Sequence, residues 1–368
     1  MSISCVSRVS CPYDETSIQN SSLRQNPRKY FRSALVTYDP AVATYANTAG
    51  RNATRPEDLE RYRRELTGYC YRMLGSGFEA EDAVQETLVR AWQGGEGFEG
   101  RSAVRSWLYR IATNVCLDML KAKQRRAAPM DLTSSWTADT FKGGMKPENT
   151  WVTPIQDDRV LPENADPAEL ATMRESIRLA FVTALQELPA TQRAVLILRE
   201  VLRWQASEVA ELLDTSVASV NSSLQRARAG LAAHESTGHD AEPISADQKA
   251  LLAKYVDAFE RYDITSLTAL LREDAVLSMP PYEFWLQGPV EMGRWFLGGG
   301  IGCRGSRLIA TSANGCPAFG SYRPDPTGGH SPWSLQVIEI AGDRIIGQHN
   351  FLDTTLFEAF GLPAHLDD

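Results

Sequence analysis

The chain has 368 residues, of which 43% are hydrophobic and 23% charged, as in a soluble globular protein of two or three domains. No apolar run reaches the roughly 20 residues of a membrane helix, and the first residues lack the pattern of a secretory signal, so we expect a cytoplasmic protein with no membrane contact. The net charge of −8 disfavours indiscriminate coating of nucleic acid, although a site-specific binder is compatible with it where basic residues cluster.

The six cysteines are widely separated and form no Cys-x-x-Cys pair. This spacing disfavours both a zinc site and a disulfide framework. We therefore expect no metal and no cofactor.

The first part of the chain divides into a leader and a helical module. Residues 1–54 are polar and without a sustained period, which predicts a flexible leader. Residues 55–128 are predicted to form a helix over Glu57–Leu74, a second over Glu79–Trp92 and a third element over Arg101–Arg126. The apolar side of the second helix consists of Ala83, Val84, Thr87, Leu88 and Ala91.

The third element has the pattern of a helix that reads nucleic acid. Its apolar stripe begins at Trp107 and Ile111, and its opposite face carries Arg110 and Asn114. A basic cluster follows at 121–126. The alternative interpretation is a solvated surface helix, because cations in a last turn also suit the helix dipole.

Residues 129–166 contain many proline and glycine residues and predict a linker. Because it also contains Trp136, Trp151 and Val152, part of it is expected to pack on a partner or on a neighbouring domain. Residues 167–234 are helical again. The predicted helices are Ala168–Leu188, Gln192–Val201, Gln205–Leu213 and Val217–Ala232. The last two have helix-turn-helix form, with Ser216 as the N-cap.

The inward residues of this helix pair are predicted to be Val209, Leu212, Leu213, Val217, Val220, Leu224 and Ala227. Its outward residues are Ser219, Ser222, Gln225, Arg226 and Arg228. An ordinary helical hairpin is the alternative, but a short polar turn followed by an outward Ser/Gln/Arg surface favours groove reading.

Residues 235–245 form a second short linker, and residues 246–368 are predicted to be an α+β domain. Its helices are expected first and a curved antiparallel sheet after them, with Gly342-Asp343 as a hairpin turn. The predicted helices are Ala246–Arg261 and Ile264–Arg272, and the predicted strands are Ala275–Met279, Arg307–Ala313, Ala318–Tyr322, Trp333–Ile340 and Arg344–Leu352.

Four segments in order resemble bacterial extracytoplasmic-function (ECF) sigma factors of the sigma-70 family. Residues 82–92 are similar to their polymerase-binding helix, and residues 107–118 with the basic run resemble their −10-reading segment. Residues 187–200 resemble the opening of the −35-reading region, and residues 219–228 resemble its recognition helix. The last domain resembles the SnoaL-like, NTF2-like domain that a subset of these factors carries.

The resemblance implies a multidomain fold, with two all-α sigma domains before an NTF2-like cone. It implies that the clamp of the large subunit of core RNA polymerase is bound by Asp82, Gln85, Glu86 and Arg90. Promoter DNA at the −10 element would be contacted by Trp107, Tyr109, Arg110, Asn114, Lys121, Lys123, Arg125 and Arg126. Asn114 suits an unpaired base, Trp107 and Tyr109 suit stacking, and the cations suit phosphates.

At the −35 element the contacts would be the outward residues of the recognition helix, where an Arg or Gln pair with a base is worth about 1–3 kcal/mol of discrimination. Residues Asn221-Ser222-Ser223 depart from the Lys-Ser-Arg commoner in the wider family, which removes two positive charges. The phosphate contacts of this recognition helix should therefore differ from those of the wider family.

The C-terminal domain is predicted to contain an apolar pocket for a small ligand. The residues proposed to line it are Trp285, Trp295, Phe296, Tyr322, Trp333, Phe351, His349 and Asp353. His349 and Asp353 are disfavoured as a catalytic pair, so no catalytic residue is predicted. Core or surface roles are favoured for both.

Three functions compete at this point. The favoured one is a promoter-specificity subunit of RNA polymerase whose C-terminal domain regulates it in cis. The alternatives are a SnoaL-like enzyme of the polyketide-cyclase type with a DNA-binding front end, and a free-standing helix-turn-helix regulator. The acidic helix and the two-module layout disfavour the regulator.

Overall fold

The computed structural model describes residues 56–94, 104–121, 124–140, 144–162, 166–232 and 245–367. The predicted leader, Lys123 and most of the second predicted linker lie outside these residues. Within them, no helix combines the length and the apolar character needed to cross a bilayer.

The first helical module contains α1 (Pro56–Glu60), α2 (Arg63–Leu74), α3 (Gly77–Gly94) and α4 (Val104–Leu120). All five residues of the predicted apolar side of α3 are buried, so this amphipathic pattern is confirmed. The first predicted helix is divided into α1 and α2 by a turn at 61–62. A glycine C-cap at Gly75, with φ of 70°, ends α2.

Helix α4 ends earlier than the sequence predicted. It stops at Leu120, and Gln124–Arg126 are not helical. The reason is a tertiary contact just beyond, where the backbone of Ala127 pairs with the segment at Thr150–Val152. The chain is therefore extended where a continuous basic helix was expected.

The linker is mostly irregular, as expected, with a short helix α5 (Pro129–Leu132) and 3-10 turns at Glu148–Thr150 and Asp157–Arg159. It lies along the edge of the C-terminal domain. The Trp136 backbone N–H donates to the Trp285 carbonyl at 2.9 Å, and the Trp285 indole donates to the Thr133 carbonyl at 2.9 Å. The prediction that part of the linker packs on a neighbouring domain is confirmed by these contacts of Trp136, and Trp151 and Val152 are buried as well.

The second helical module contains six elements. They are α6 (Pro167–Glu175), α7 (Leu179–Gln186), α8 (Ala190–Leu196), a π-helical turn (Ile197–Val201), α9 (Ala206–Leu212) and α10 (Val217–Ala232). The long helix predicted over Ala168–Leu188 is broken at 176–178. Ser176 accepts hydrogen bonds there from the buried Arg72 of α2, so a contact with the other module fixes the break.

The helix-turn-helix prediction is confirmed in α9 and α10. Ser216 caps α10, because its hydroxyl accepts from the Ser219 N–H at 3.1 Å. The predicted inward residues are buried or half-buried with one exception. Val217 is 44% exposed, since it is the first residue of the helix and the buried part of α10 begins only at Val220.

The C-terminal module is the expected α+β domain. Its elements are α11 (Ala246–Glu260), α12 (Ile264–Ala269), β1 (Leu271–Ser278), β2 (Trp285–Gln287), α13 (Pro289–Leu297), β3 (Arg307–Ala313), β4 (Cys316–Pro324), β5 (His330–Ala341), β6 (Arg344–Phe351) and α14 (Thr355–Ala359). The strand order is β2-β1-β6-β5-β4-β3. Strand β2 and helix α13 were not predicted.

The pairing of the sheet is antiparallel except between β1 and β6, which are parallel, so the expectation of a fully antiparallel sheet was wrong. The first strand of the domain lies beside the last one, and no local signal in either strand specifies that long-range pairing. The predicted turn at Gly342-Asp343 is confirmed, because Ala341 and Arg344 pair directly across it.

The two faces of this sheet have different neighbours. Phe319 and Gln336 face α11, where the Tyr255 hydroxyl donates to the Gln336 carboxamide at 2.8 Å. Because side chains alternate along a strand, Ala318 and Val337 face the opposite side. There they join an apolar core that is continuous with the two helical modules.

Candidate nucleic-acid interface

The acidic face of α3 is exposed as predicted. Asp82, Gln85, Glu86 and Arg90 all reach solvent, with Arg90 paired to Glu86 at 2.7 Å. The indole of Trp92 is 60% exposed on the last turn of the same helix. A surface that combines an exposed aromatic ring with charges suits a protein partner better than DNA phosphates.

The outward face of α4 presents Asn114 and Arg110, which are both exposed. Trp107 is half-buried against the core of its module, as its place in the predicted apolar stripe indicates. Lys121 lies beyond the helix end and pairs with Asp118 at 2.7 Å. Of the −10 residues predicted, Asn114 and Arg110 thus share one helix face.

Two of the predicted −10 contacts lie inside the protein. Tyr109 is fully buried and its hydroxyl donates to Glu65 at 2.8 Å, and burial raises its pKa well above the ordinary range. Arg126 is 7% exposed, and it donates to the Trp151 carbonyl and to Glu79, both at 2.6 Å. In this structure neither is accessible to DNA, because the chain turns inward to satisfy buried acceptors.

The α4 helix touches the helix-turn-helix directly. The Arg110 guanidinium donates to the Glu211 carbonyl on α9 at 3.0 Å. Below it, the rings of Tyr109 and Trp204 are 5.0 Å apart, and Arg105 lies over both. A surface predicted to meet the −10 element is therefore partly covered by the module predicted to read the −35 element.

A second seam between the helical modules is buried and polar. Arg193 of α8, 4% exposed, donates to the carbonyls of Met73, Gln186 and Leu188. At the edge of this seam Arg125, another predicted −10 contact, forms an ion pair with Glu187. The two modules therefore share backbone-directed hydrogen bonds that only a packed arrangement allows.

The recognition helix α10 keeps its predicted surface open. Ser219, Gln225, Arg226 and Arg228 are exposed and Ser222 is half-buried. Arg226 donates to the hydroxyls of Ser222 and Ser223 at 2.8 and 3.2 Å, and Arg228 pairs with Glu200 at 2.6 Å. These contacts orient the two guanidinium groups on the outer side of the helix.

The predicted aromatic pocket is filled by its own side chains. Trp295 packs on Phe284 with ring centroids 4.5 Å apart, and the Tyr322 hydroxyl donates to the Pro363 carbonyl at 2.8 Å. Arg323 covers the Trp333 ring, 3.3 Å from its centroid. Phe296 packs on Phe259, and Asp353 caps α14 through the Thr355 N–H. These residues hold the domain together, and only Phe351 and His349 of the predicted set line the cleft described next.

This cleft, of about 390 Å³, lies between the sheet face that meets the helical modules, helix α7 and the start of the linker. His349 projects into it, with its Nδ1 atom 2.8 Å from the Ser278 hydroxyl and its Nε2 atom 3.5 Å from Glu339. Ala180 and Thr183 line it from α7. It therefore differs in place from the pocket that the sequence predicted.

The β3–β4 turn is a feature that the sequence analysis missed. Asn314 and Gly315 connect the strands in a two-residue turn, with φ of 57° and 69°. Asn314 is fully buried against both helical modules and the linker. The signal was present, since Asn-Gly between alternating apolar runs is the strongest short hairpin signature.

Comparison with known proteins decides the family. Residues 58–126 match the sigma-70 region 2 family and residues 178–231 match sigma-70 region 4. The ECF RNA polymerase sigma factor SigG of Mycobacterium tuberculosis is 44% identical over 317 residues, covering 83% of each chain. The chain belongs to the ECF RNA polymerase sigma factors.

A further relative agrees with this conclusion, and a solved structure matches the fold. ECF RNA polymerase sigma factor SigW of Bacillus subtilis is 31% identical over 170 residues, covering 46% of this chain and 82% of that protein. The crystal structure of the M. tuberculosis ECF sigma factor SigJ matches with a TM-score of 0.54 at 19% identity, over 84% of this chain and all of that one. The match extends into the C-terminal domain, so the fold of this sigma factor has a counterpart in a solved structure.

The family determines the function in outline. This sigma factor binds core RNA polymerase and promoter DNA and directs transcription initiation; it is a transcription factor rather than an enzyme. The cyclase-type enzyme and the free-standing regulator are accordingly set aside.

Proposed function

We propose that this sigma factor rests in a closed state, in which its C-terminal domain holds the two promoter-reading modules against each other, and that it opens to initiate transcription. The observation that carries the proposal is the contact of Arg110 with Glu211 at 3.0 Å. It joins the −10-reading helix to the helix-turn-helix.

Promoter geometry makes the closed state incompatible with DNA reading. Elements centred at −35 and −10 are 25 base pairs apart, which is about 85 Å at about 3.4 Å per pair. Modules in direct contact cannot reach both elements at once. The C-terminal sheet packs into the core that the two modules share, so separation must also break its contacts.

A distance measurement tests the closed state. Fluorophores attached through non-canonical amino acids at Asp58 and Thr215, both exposed, report on the two helical modules. We expect one short distance in the free protein and a separation larger by several tens of ångströms in the open complex with core polymerase and promoter. The same distance in both states would exclude the closed state as the resting form.

The exposed face of α3 supports its assignment as the polymerase contact. Reversing its charge with Asp82→Lys and Glu86→Lys together should weaken binding to core polymerase at least tenfold, since complementary charges govern encounter and residence. The matched control is Asp247→Lys, an exposed acid on α11, which should bind core like the wild type. Equal binding by both variants would remove the assignment.

For promoter reading we assign Asn114 to an unpaired base and the exposed Arg110, Lys121 and Arg125 to phosphates. Parting of the modules releases Arg110 and Arg125, and Lys121 would exchange Asp118 for a phosphate. On α10 we assign base or backbone contacts to Ser219, Ser222, Gln225, Arg226 and Arg228, whose exposure supports the role. Transcription from a promoter library with Gln225→Ala tests this: the −35 preference should relax while the −10 preference stays.

The cleft at His349 supports a second role as a ligand site. Its volume falls in the range of small-molecule pockets, and an apolar wall of Ala180, Leu179 and Phe351 surrounds a few polar groups. The ligand would be a small, mostly apolar molecule with a hydrogen-bonding group. A ligand mass that remains bound in the native mass spectrum and is lost in Ala180→Trp would support this role. The role would be contradicted if the protein carries no bound mass and apolar probes added to it do not bind.

A further inference from the structure

We propose that the Asn314–Gly315 turn is the latch that fastens the closed state; this inference rests on the proposed closing of the two modules. The turn projects from the C-terminal sheet into the place where both helical modules and the linker meet. Each of the three is bound there by polar groups of this two-residue turn.

The carboxamide of Asn314 uses its donor and acceptor atoms on different parts of the chain. Its Nδ2 group donates to the Tyr71 hydroxyl of α2 and to the Ile177 carbonyl between α6 and α7, both at 2.6 Å. Its Oδ1 atom accepts from the Ile155 N–H of the linker at 3.0 Å. One side chain therefore ties together the −10 module, the −35 module and the linker.

The backbone of the turn completes the junction. The Asn314 N–H donates to the Ile155 carbonyl at 3.1 Å, and the Gly315 N–H donates to the Asp157 carboxylate at 2.8 Å. The Tyr71 hydroxyl in turn donates a hydrogen bond to the Thr153 carbonyl at 2.8 Å. A buried polar group that loses its partner pays the full desolvation cost, so these bonds form or break together.

Few residue types other than asparagine and glycine would suit positions 314 and 315. Asn314 has φ of 57°, which asparagine tolerates better than other residues with a side chain, and it is fully buried. An ionised aspartate would lose both donations and bury a charge. At Gly315, with φ of 69°, an added Cβ would lie 3.0 Å from the Arg174 carbonyl of α6. The absence of a side chain at Gly315 therefore allows the turn to lie close to the backbone of the −35 module.

The latch explains how one domain acts on both readers. Bonds to α2 and to the α6–α7 junction start from the same carboxamide, so withdrawal of the turn releases the two modules in one event. The rest of the C-terminal domain contributes mainly apolar contacts on this face, which set affinity without fixing a register.

The experiment compares Asn314→Gly with wild type, using the Asp58 and Thr215 fluorophores on the full chain bound to core polymerase. Glycine accepts the backbone angle and removes the side chain with its carboxamide. We expect the ratio of separated to closed molecules to rise at least tenfold. The matched control is Asp343→Gly in the exposed β5–β6 turn, which should leave the ratio unchanged.

A second variant guards against misfolding. Tyr71→Phe keeps the ring and removes the hydroxyl that accepts from Asn314, and we expect it to raise the same ratio several-fold. If wild type separates in the open complex but neither variant changes the ratio, the latch is wrong while the closed state stands. If wild type never changes its distance, the closed state itself fails.

Discussion

Replacing Arg193 by leucine is expected to lower the free energy of unfolding by about 3 kcal/mol. The guanidinium is 4% exposed and donates to the carbonyls of Met73, Gln186 and Leu188 and to the Gln186 side chain. Leucine leaves these acceptors buried without a donor. Burial lowers the pKa of Arg193 to about 10, because the charged guanidinium has lost most of its water.

Chemical denaturation of the full chain measures this effect. The matched control is Arg261→Leu, which removes an exposed guanidinium paired within α11 to Asp257 at 2.6 Å. That change should cost no more than about 0.5 kcal/mol. If the two variants unfold at the same denaturant concentration, the buried seam does not stabilise the packing of the two helical modules.

Replacing Asp157 by asparagine is expected to favour the closed state at neutral pH. Asp157 accepts from Gly315 in the latch, and burial raises its pKa from 3.8 to about 6, against the lowering effects of that bond, of Arg174 and of Ser312; Asp158 adds to the rise. An asparagine oxygen still accepts from Gly315 without burying a charge. The closed state should gain on the order of 2 kcal/mol.

The same shift predicts a pH dependence of opening. On opening, the pKa of Asp157 returns toward 3.8, so the closed form binds the proton more tightly and its extra stability is complete below about pH 4. That stability is lost as pH rises through about 6. Wild type should therefore open more readily at pH 7.5 than at pH 5, and Asp157→Asn should not follow this trend.

The fluorophore distances in the core-bound protein, measured from pH 5 to pH 7.5, check both statements. Other titrating groups affect wild type and variant alike, so the difference between the two curves isolates Asp157. Parallel curves would show that this carboxyl does not change environment on opening, and would argue against a latch that includes Gly315.

The proposed closed state would place regulation within the chain. The predicted −10 cations Arg110 and Arg125 pair with carboxylates of the other helical module, Arg110 with Glu211 at 3.8 Å and Arg125 with Glu187. Acidic side chains thus occupy positions where phosphates are expected. Opening exchanges these carboxylates for DNA, so its free energy should depend on salt in the same direction as DNA binding.

Local patterns in the sequence were sufficient for the amphipathic α3, for α10 with its Ser216 cap and for the Gly342-Asp343 turn. Each depends on residues a few positions apart, whose side chains share a face or cap a neighbour. Helical periodicity together with the resemblance of these two segments to sigma factors predicted the exposed residues of α3 and α10. These surfaces are exposed because the opposite face of each helix is apolar.

Other features depend on partners far away in the chain. No local pattern indicated that Tyr109 and Arg126 are buried, since their acceptors Glu65 and Trp151 lie in other elements. The break at Ser176 depends on Arg72, 104 residues away. Helix propensity favoured a continuous helix through Arg126 and through Ser176. Buried hydrogen bonds outweighed it, because an unsatisfied buried group costs more than a lost helical turn.

By itself, then, the sequence predicted which helices read DNA and bind polymerase, through spacing, residue type and the resemblance to sigma factors. Only the tertiary structure decided that the two readers touch and that the Asn314–Gly315 turn binds both. A carboxamide can satisfy three separate segments only when packing brings them within hydrogen-bonding distance, and no local pattern encodes that meeting.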